Sequence, residues 1–270
     1  MRRLANILAV AAALVTAFPI YWMVLSAIKP AGEIQSLDVS LWTANPTLDH
    51  FVRVITGEGF GRYFLNSAMI TLAVVVLSAG VSFLAAVALT RFKFRFRTTV
   101  LIMFLVAQMV PVEALTIPLF FVVRDMGMLN TLWALVAVQL AFTLPFSIWM
   151  MRGFVAAVPE ALEEAAMIDG ASRFTVLWRI LFPLVAPGLV ASSVFAFIVA
   201  WNDFVFARTF IISAKDNQTL PAALLVFFKP DENDWGGIMA ASTLMTIPVL
   251  IFFVAVQRRL ISGLGGAVKH

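Results

Sequence analysis

Residues able to do chemistry are few in this chain, and their types exclude several activities. Cysteine is absent, which rules out disulfides, a redox centre and thiolate metal sites. The two histidines are His50, in a polar segment, and His270, at the end. Both read as solvated, so neither suits a membrane protease or transferase, although a buried serine mechanism stays open by residue type. No phosphate-binding GxxxxGK[ST] loop occurs, and no acidic partner for one, so ATP hydrolysis belongs elsewhere. With no metal site and no catalytic set, attention falls on polar groups inside apolar sequence. Glu113 stands between Pro111 and Pro118, and Gln108 and Gln139 lie in similar surroundings. A carboxyl in hydrocarbon must face a bundle interior, a cavity or a partner, or be protonated. These three residues can therefore line a path for a hydroxyl-rich solute, which needs convergent polar groups, or make helix–helix contacts. Asn66, Asn202 and Asp203 fall near segment ends, where gating or partner contact competes with simple interfacial placement.

The elements that must position these groups follow from composition. Of 270 residues, 62% are hydrophobic and 13% charged, with a mean hydropathy of +0.98. A soluble chain is about half apolar and a quarter charged, so this one has too little polar residue to coat a core. A membrane helix takes roughly 20 apolar residues. The apolar runs 7–28, 64–90, 99–123, 131–151, 181–205 and 238–257 predict six spans in an all-α polytopic fold. They leave residues 1–270 as a single transmembrane domain. The runs are continuous rather than alternating, which argues against a β-barrel. Their prolines are tolerated because neighbouring helices re-satisfy freed carbonyls. The first run continues through Pro19, Tyr21 and Trp22 to Lys29, too long for a cleaved signal.

Lys and Arg placement orients the bundle. Twelve of the 19 basic residues fall in segments that are cytoplasmic if the N-terminus is, which places both termini inside. The strongest anchor is the alternating run Arg91-Phe92-Lys93-Phe94-Arg95-Phe96-Arg97. It resembles an RNA-binding strand in pattern, but it joins two spans, so a headgroup-level loop is the better account and no nucleic-acid partner is expected.

One cytoplasmic segment, 159–183, is more than a connector. Pro159 suits an early helical position, and Glu160, Glu163 and Glu164 complement the positive end of a helix. Gly170 can end that helix and Ser172 can cap a second one leading into the fifth span. The product is a short helical elbow along the inner surface. It either docks in a partner's groove or rests as an amphipathic connector in lipid.

Glu164-Ala165-Ala166, followed at fixed spacing by Gly170, Ile180 and Pro183, resembles the EAA signature of ABC importer permeases. Asp169, Ala171 and Pro187 also match its carbohydrate-importer version, while Phe182 replaces the usual leucine. Further pieces are similar along almost the whole chain. They include Pro19 with Trp22, Asn66-Ser67, Trp201-Asn202, Thr219-Leu220-Pro221 and the tail Gly265-Gly266-Ala267-Val268-Lys269. The likeness is to the smaller permease of the maltose and glycerol-phosphate importer type. It implies a bacterial inner-membrane subunit whose elbow is a coupling helix for a cytoplasmic ATPase, with Glu164 pairing a basic group there. It also implies a homologous second permease, two ABC ATPase subunits holding ATP and Mg, and an extracytoplasmic solute-binding protein. No cofactor is expected in this chain. An ion-coupled secondary transporter subunit and a non-transport scaffold are the alternatives.

Overall fold

The computed structural model describes residues 2–57, 59–228 and 233–265, without the side chains of Arg2 or of 258–265. Sequence readings that rest on Pro230, Asp231, Glu232, Lys269, His270 or the 266–269 tail lie outside these residues, as do the side chains of Arg258 and Arg259. Among the described residues all regular structure is helical. The principal helices are α1 (Arg2–Ile28), α2 (Asp49–Thr56), α3 (Phe60–Arg91), α4 (Arg97–Ala107), α5 (Thr116–Asp125), α6 (Leu132–Ala157), α7 (Glu160–Ile168), α8 (Ala186–Trp201), α9 (Val205–Phe210) and α10 (Trp235–Gly265).

Among the described residues four helices are each long and apolar enough to cross a membrane: α1, α3, α6 and the 235–257 part of α10. The expected third and fifth spans are not straight. The helix Arg97–Ala107 meets Val112–Asp125 at 94°, and Arg173–Leu184 meets Ala186–Trp201 at 71°. Counting each bent pair as one span gives up to six. At the first bend α4 ends at Ala107, and Pro111, extended at φ −59°, ψ 126°, leads into a single tight turn, Val112–Leu115. At the second, Pro183 and Pro187 flank the break at Val185. The protein is thus an all-α, multi-pass membrane protein.

The chain divides into two compact units, Met1–Tyr63 with Ala223–Ile251, and Phe64–Ala222 with Phe252–His270. In the first, α1 exposes apolar side chains all round over its outer length; none of its most apolar window is buried. Such a helix is stable in lipid, not in water. The Thr16 hydroxyl donates to the Ala12 and Ala13 carbonyls, hiding its one hydroxyl there. Beyond it, Tyr21 Oη donates to the Leu41 carbonyl, and Lys29 Nζ donates to the Ser40 carbonyl at 2.7 Å while lying over the Trp22 ring. His50 departs from expectation: it is buried, not solvated. Its Nε2 lies 2.9 Å from the Lys29 carbonyl and its Nδ1 2.9 Å from Arg53 Nη2. Gly236 makes this possible, because a Cβ there would sit 2.2 Å from the imidazole.

In the second unit two stripes at four-residue spacing meet. On α3 these are Asn66, Ile70, Val74, Ser78, Ser82 and Ala86; on α6, Leu135, Gln139, Thr143, Ser147, Met151 and Val155. At 3.6 residues per turn each set winds slowly around its helix as an inclined buried row. The two helices touch where the Ser78 hydroxyl donates to that of Ser147 at 3.1 Å. Helix α8 packs on α6 through Gly188, Leu189, Ser192, Ala196 and Ala200. Gly188 is required for that approach, since an added Cβ would fall 2.4 Å from the Phe154 ring.

Candidate functional site

The elbow is built from local signals that agree with one another. Pro159 precedes α7 with φ −61°, ψ 130°, and Glu160 and Glu163 occupy its first turn. The end of α7 is a Schellman closure: Ala171 N donates to the Ala166 carbonyl at 2.9 Å and Gly170 N to that of Met167 at 3.1 Å. Gly170 adopts φ +89°, a left-handed conformation that strains any residue with a Cβ. Ser172 then caps the next turn, its Oγ accepting from Thr175 N at 3.2 Å. Residues Val176–Leu181 form a single π-helical turn, a widened geometry that recurs at functional sites.

Side chains divide the elbow into an anchored side and a free side. Phe83 of α3 is fully buried and meets Trp178 and Phe182 at ring distances of 5.7 and 5.4 Å; Trp178 and Phe182 lie 5.3 Å apart. Phe182, the departure from the expected leucine, therefore completes an aromatic trio. Arg91 ends α3 and turns inward, donating through Nε to Glu163 Oε1 at 2.8 Å and through Nη2 to the Val158 carbonyl at 2.8 Å. Glu164, Ala165, Asp169 and Gly170 are exposed, and Ala166 and Ile180 are half-buried. Pro183 is exposed at the bend. A groove of about 460 Å³ runs beside α7, lined by Glu160, Glu163, Glu164, Met167, Arg173 and Phe174 among others.

The polar residues proposed to line a path fall into separate groups. Gln139 is 2% exposed; its Nε2 donates to Asp203 Oδ2 at 3.0 Å, and its Oε1 is buried without a hydrogen-bond partner. Asp203 also accepts from Phe206 N and Ala207 N, each at 3.2 Å, so it starts α9 as well as holding Gln139. Gln108, exposed at the end of α4, donates to the Phe142 carbonyl of α6 at 3.2 Å. Glu113 is exposed in the tight turn between α4 and α5. Asn202 is exposed and donates to the Ile198 carbonyl at 2.9 Å. Asn66 is buried, with its Nδ2 on the Asp216 and Gln218 carbonyls at 2.8 and 2.9 Å. The structure thus brings Gln139 and Asp203 together and commits Asn66 to holding a loop.

Two residues escaped the sequence reading. Arg91 was grouped with its basic neighbours as a headgroup anchor, and no local pattern distinguishes it from them. Asn130 sits at φ +62°, where its Oδ1 accepts from Ile212 N, Ser213 N and Ala214 N at 2.8–3.3 Å. Asn following a Gly-Met-Leu turn was the available signal, since Asn tolerates left-handed backbone better than other residues with a Cβ.

Residues 78–265 match the family described as binding-protein-dependent transport system inner membrane component. The chain belongs to that family. This makes it an ABC importer permease and gives no support to ion-coupled transport. It is 40% identical to the diacetylchitobiose uptake system permease protein DasC of Streptomyces coelicolor over 98% of this chain and 96% of that one. It is 36% identical to the trehalose/maltose transport system permease protein MalG of Thermococcus litoralis, over 97% and 94%. A crystal structure of a bacterial ABC transporter importing the acidic polysaccharide alginate contains a chain of the same fold. The TM-score is 0.81 at 21% identity, and 94% of each chain is covered.

Proposed function

We propose that this chain is one of two homologous permease subunits of a bacterial importer for sugars or sugar-like solutes, with α7 as its coupling helix. The bent pairs then count as spans three and five, giving six, and both termini face the cytoplasm. The relatives' substrates, diacetylchitobiose and trehalose or maltose, support the solute class. The observation that carries the mechanism is the free side of α7. Glu164 and Ala165 are exposed, while Arg91 on Glu163 ties α7 to a membrane helix and the aromatic trio ties the turn that follows α7 to the same helix.

In this reading the exposed face of α7 enters a cleft in one of two cytoplasmic ATPase subunits, which bind ATP and Mg. Glu164 meets a basic group there, and small Ala165 and Ala166 let the helix sit close. Gly170 and Asp169 set the turn, while Ile180 and Pro183 carry motion into α8. ATP-driven closure moves α7, and with it the bundle, between outward and inward access. An extracytoplasmic binding protein delivers solute. Gln139, Asp203, Gln108 and Glu113 line the path; near its outer end Asn202 faces it and Asn66 acts by holding the 216–218 loop in place.

The test is reconstitution of the intact complex with its ATPase and binding protein in vesicles. Diacetylchitobiose, trehalose and maltose are the probes. Uptake of at least one, requiring an active ATPase and indifferent to collapse of the proton and sodium gradients, is expected. Uptake that persists with a disabled ATPase and stops with the gradient would overturn the proposal.

A further inference from the structure

Of the cations in the 91–97 run, Arg91 alone is turned into a built contact: its side chain is 11% exposed and that of its partner Glu163 is 15%. Phe92, Lys93, Phe94, Arg95 and Phe96 are exposed. The guanidinium uses Nε and Nη2 on the same carboxylate oxygen, at 2.8 and 2.7 Å, and Nη2 also reaches the Val158 carbonyl. Glu160 Oε1 stands 3.7 Å from Nη1. One residue at the end of α3 thus grips both the Val158 carbonyl, just past the end of α6, and the first turn of α7. Val158 has no further helical turn to satisfy its carbonyl, because Pro159 follows and α6 has ended. A planar guanidinium meets these acceptors at once, whereas an ammonium is a single point charge.

We infer that Arg91 is the positioning residue that fixes α7 to α3, so that movement of α7 is transmitted to a membrane helix rather than absorbed in the 158–159 hinge. The three acids of α7 consequently have different tasks. Glu163 is held within the chain and Glu160 lies at its margin, which leaves Glu164 for the partner. The inference rests on the proposed coupling role, and its test separates the two.

The chain has no cysteine, so Ala161→Cys supplies a unique attachment point for a nitroxide on an exposed face of α7. In full-length protein in lipid nanodiscs, Arg91→Gln and Glu163→Gln should each mobilise that label. The exchange Arg91→Glu with Glu163→Arg should restore it, and Arg91→Lys should fall between. In the reconstituted complex the two single variants should lower solute-stimulated ATP hydrolysis about tenfold at an unchanged level of assembled complex. The exchange should recover it. Unchanged label mobility in both single variants would overturn the brace, and mobilised labels with unaltered coupling would overturn its transmitting role. Failure of the unmutated complex to show ATP-driven uptake would instead overturn the proposed function, with the label result still reporting on the brace.

Discussion

Helix α3 is held at its two ends by different chemistry. Near its start, Asn66 donates to the Asp216 and Gln218 carbonyls, and the Ser67 hydroxyl accepts from Leu220 N at 2.9 Å. The neighbouring loop is organised by Asn130 in the same neutral, backbone-directed way. At its end, α3 relies on one partly buried ion pair and three aromatic rings. Neutral amide bonds to backbone hold a loop in one conformation whatever the salt. An ion pair with one rim in solvent is adjustable, weakens with ionic strength, and leaves its element able to move as a body. The first arrangement suits a fixed frame and the second a lever.

Substitutions at the two ends of α3 and in the elbow should differ widely in effect. Glu164→Lys should reduce solute-stimulated ATP hydrolysis by about a hundredfold while insertion and thermal stability hold. Normal stimulated turnover with the reversed charge would remove Glu164 from the interface. Asn130→Ala deletes several bonds to one loop and leaves an unfavourable backbone angle, so it should destabilise the protein by about 3 kcal/mol, read as a thermal midpoint in detergent. Gly188→Ala, forced against Phe154, should cost about 2 kcal/mol by the same measurement. Gly170→Ala should cost only about 1 kcal/mol in stability, because the added Cβ meets no neighbour and only the local left-handed backbone penalty remains, yet lower coupling more than Gly188→Ala does. Phe182→Leu should be the mildest, near 1 kcal/mol or less, since a bulky apolar group remains beside Phe83. If Asn130→Ala proves as salt-sensitive as Arg91→Gln, the contrast between frame and lever fails.

Much of the fold was legible because its signals are local. The apolar stretches announce membrane helices by length alone, and Pro159, Gly170 and Ser172 mark the elbow through backbone preferences that need no distant partner. The prolines mark where kinks can fall, but the sharpness of the breaks at Pro111 and near Val185, 94° and 71°, was not legible. A membrane proline kinks or breaks a helix according to what neighbouring helices offer its freed carbonyl, and sequence names the proline, not the neighbour. His50 shows the same limit: a histidine in a polar segment reads as solvated until Gly236, far along the chain, opens a slot for its ring. Among the pathway residues, residue type alone raised suspicion equally for Gln139, Glu113 and Asn66. Only folding set Gln139 against Asp203, Glu113 in an exposed turn and Asn66 on a loop.

That this is a helical membrane protein, and that a helix start, a left-handed turn and a second cap follow one another between Pro159 and Ser172, can be read from the chain alone, because both follow from short stretches of residue chemistry. Tertiary structure alone decided which charges are spoken for. Glu160, Glu163 and Glu164 are the same side chain within five residues. Spaced three and four apart, they share one flank of α7, yet Arg91 at the end of α3, seventy residues earlier, closes on Glu163 at 2.7 Å, only approaches Glu160 at 3.7 Å, and leaves Glu164 exposed.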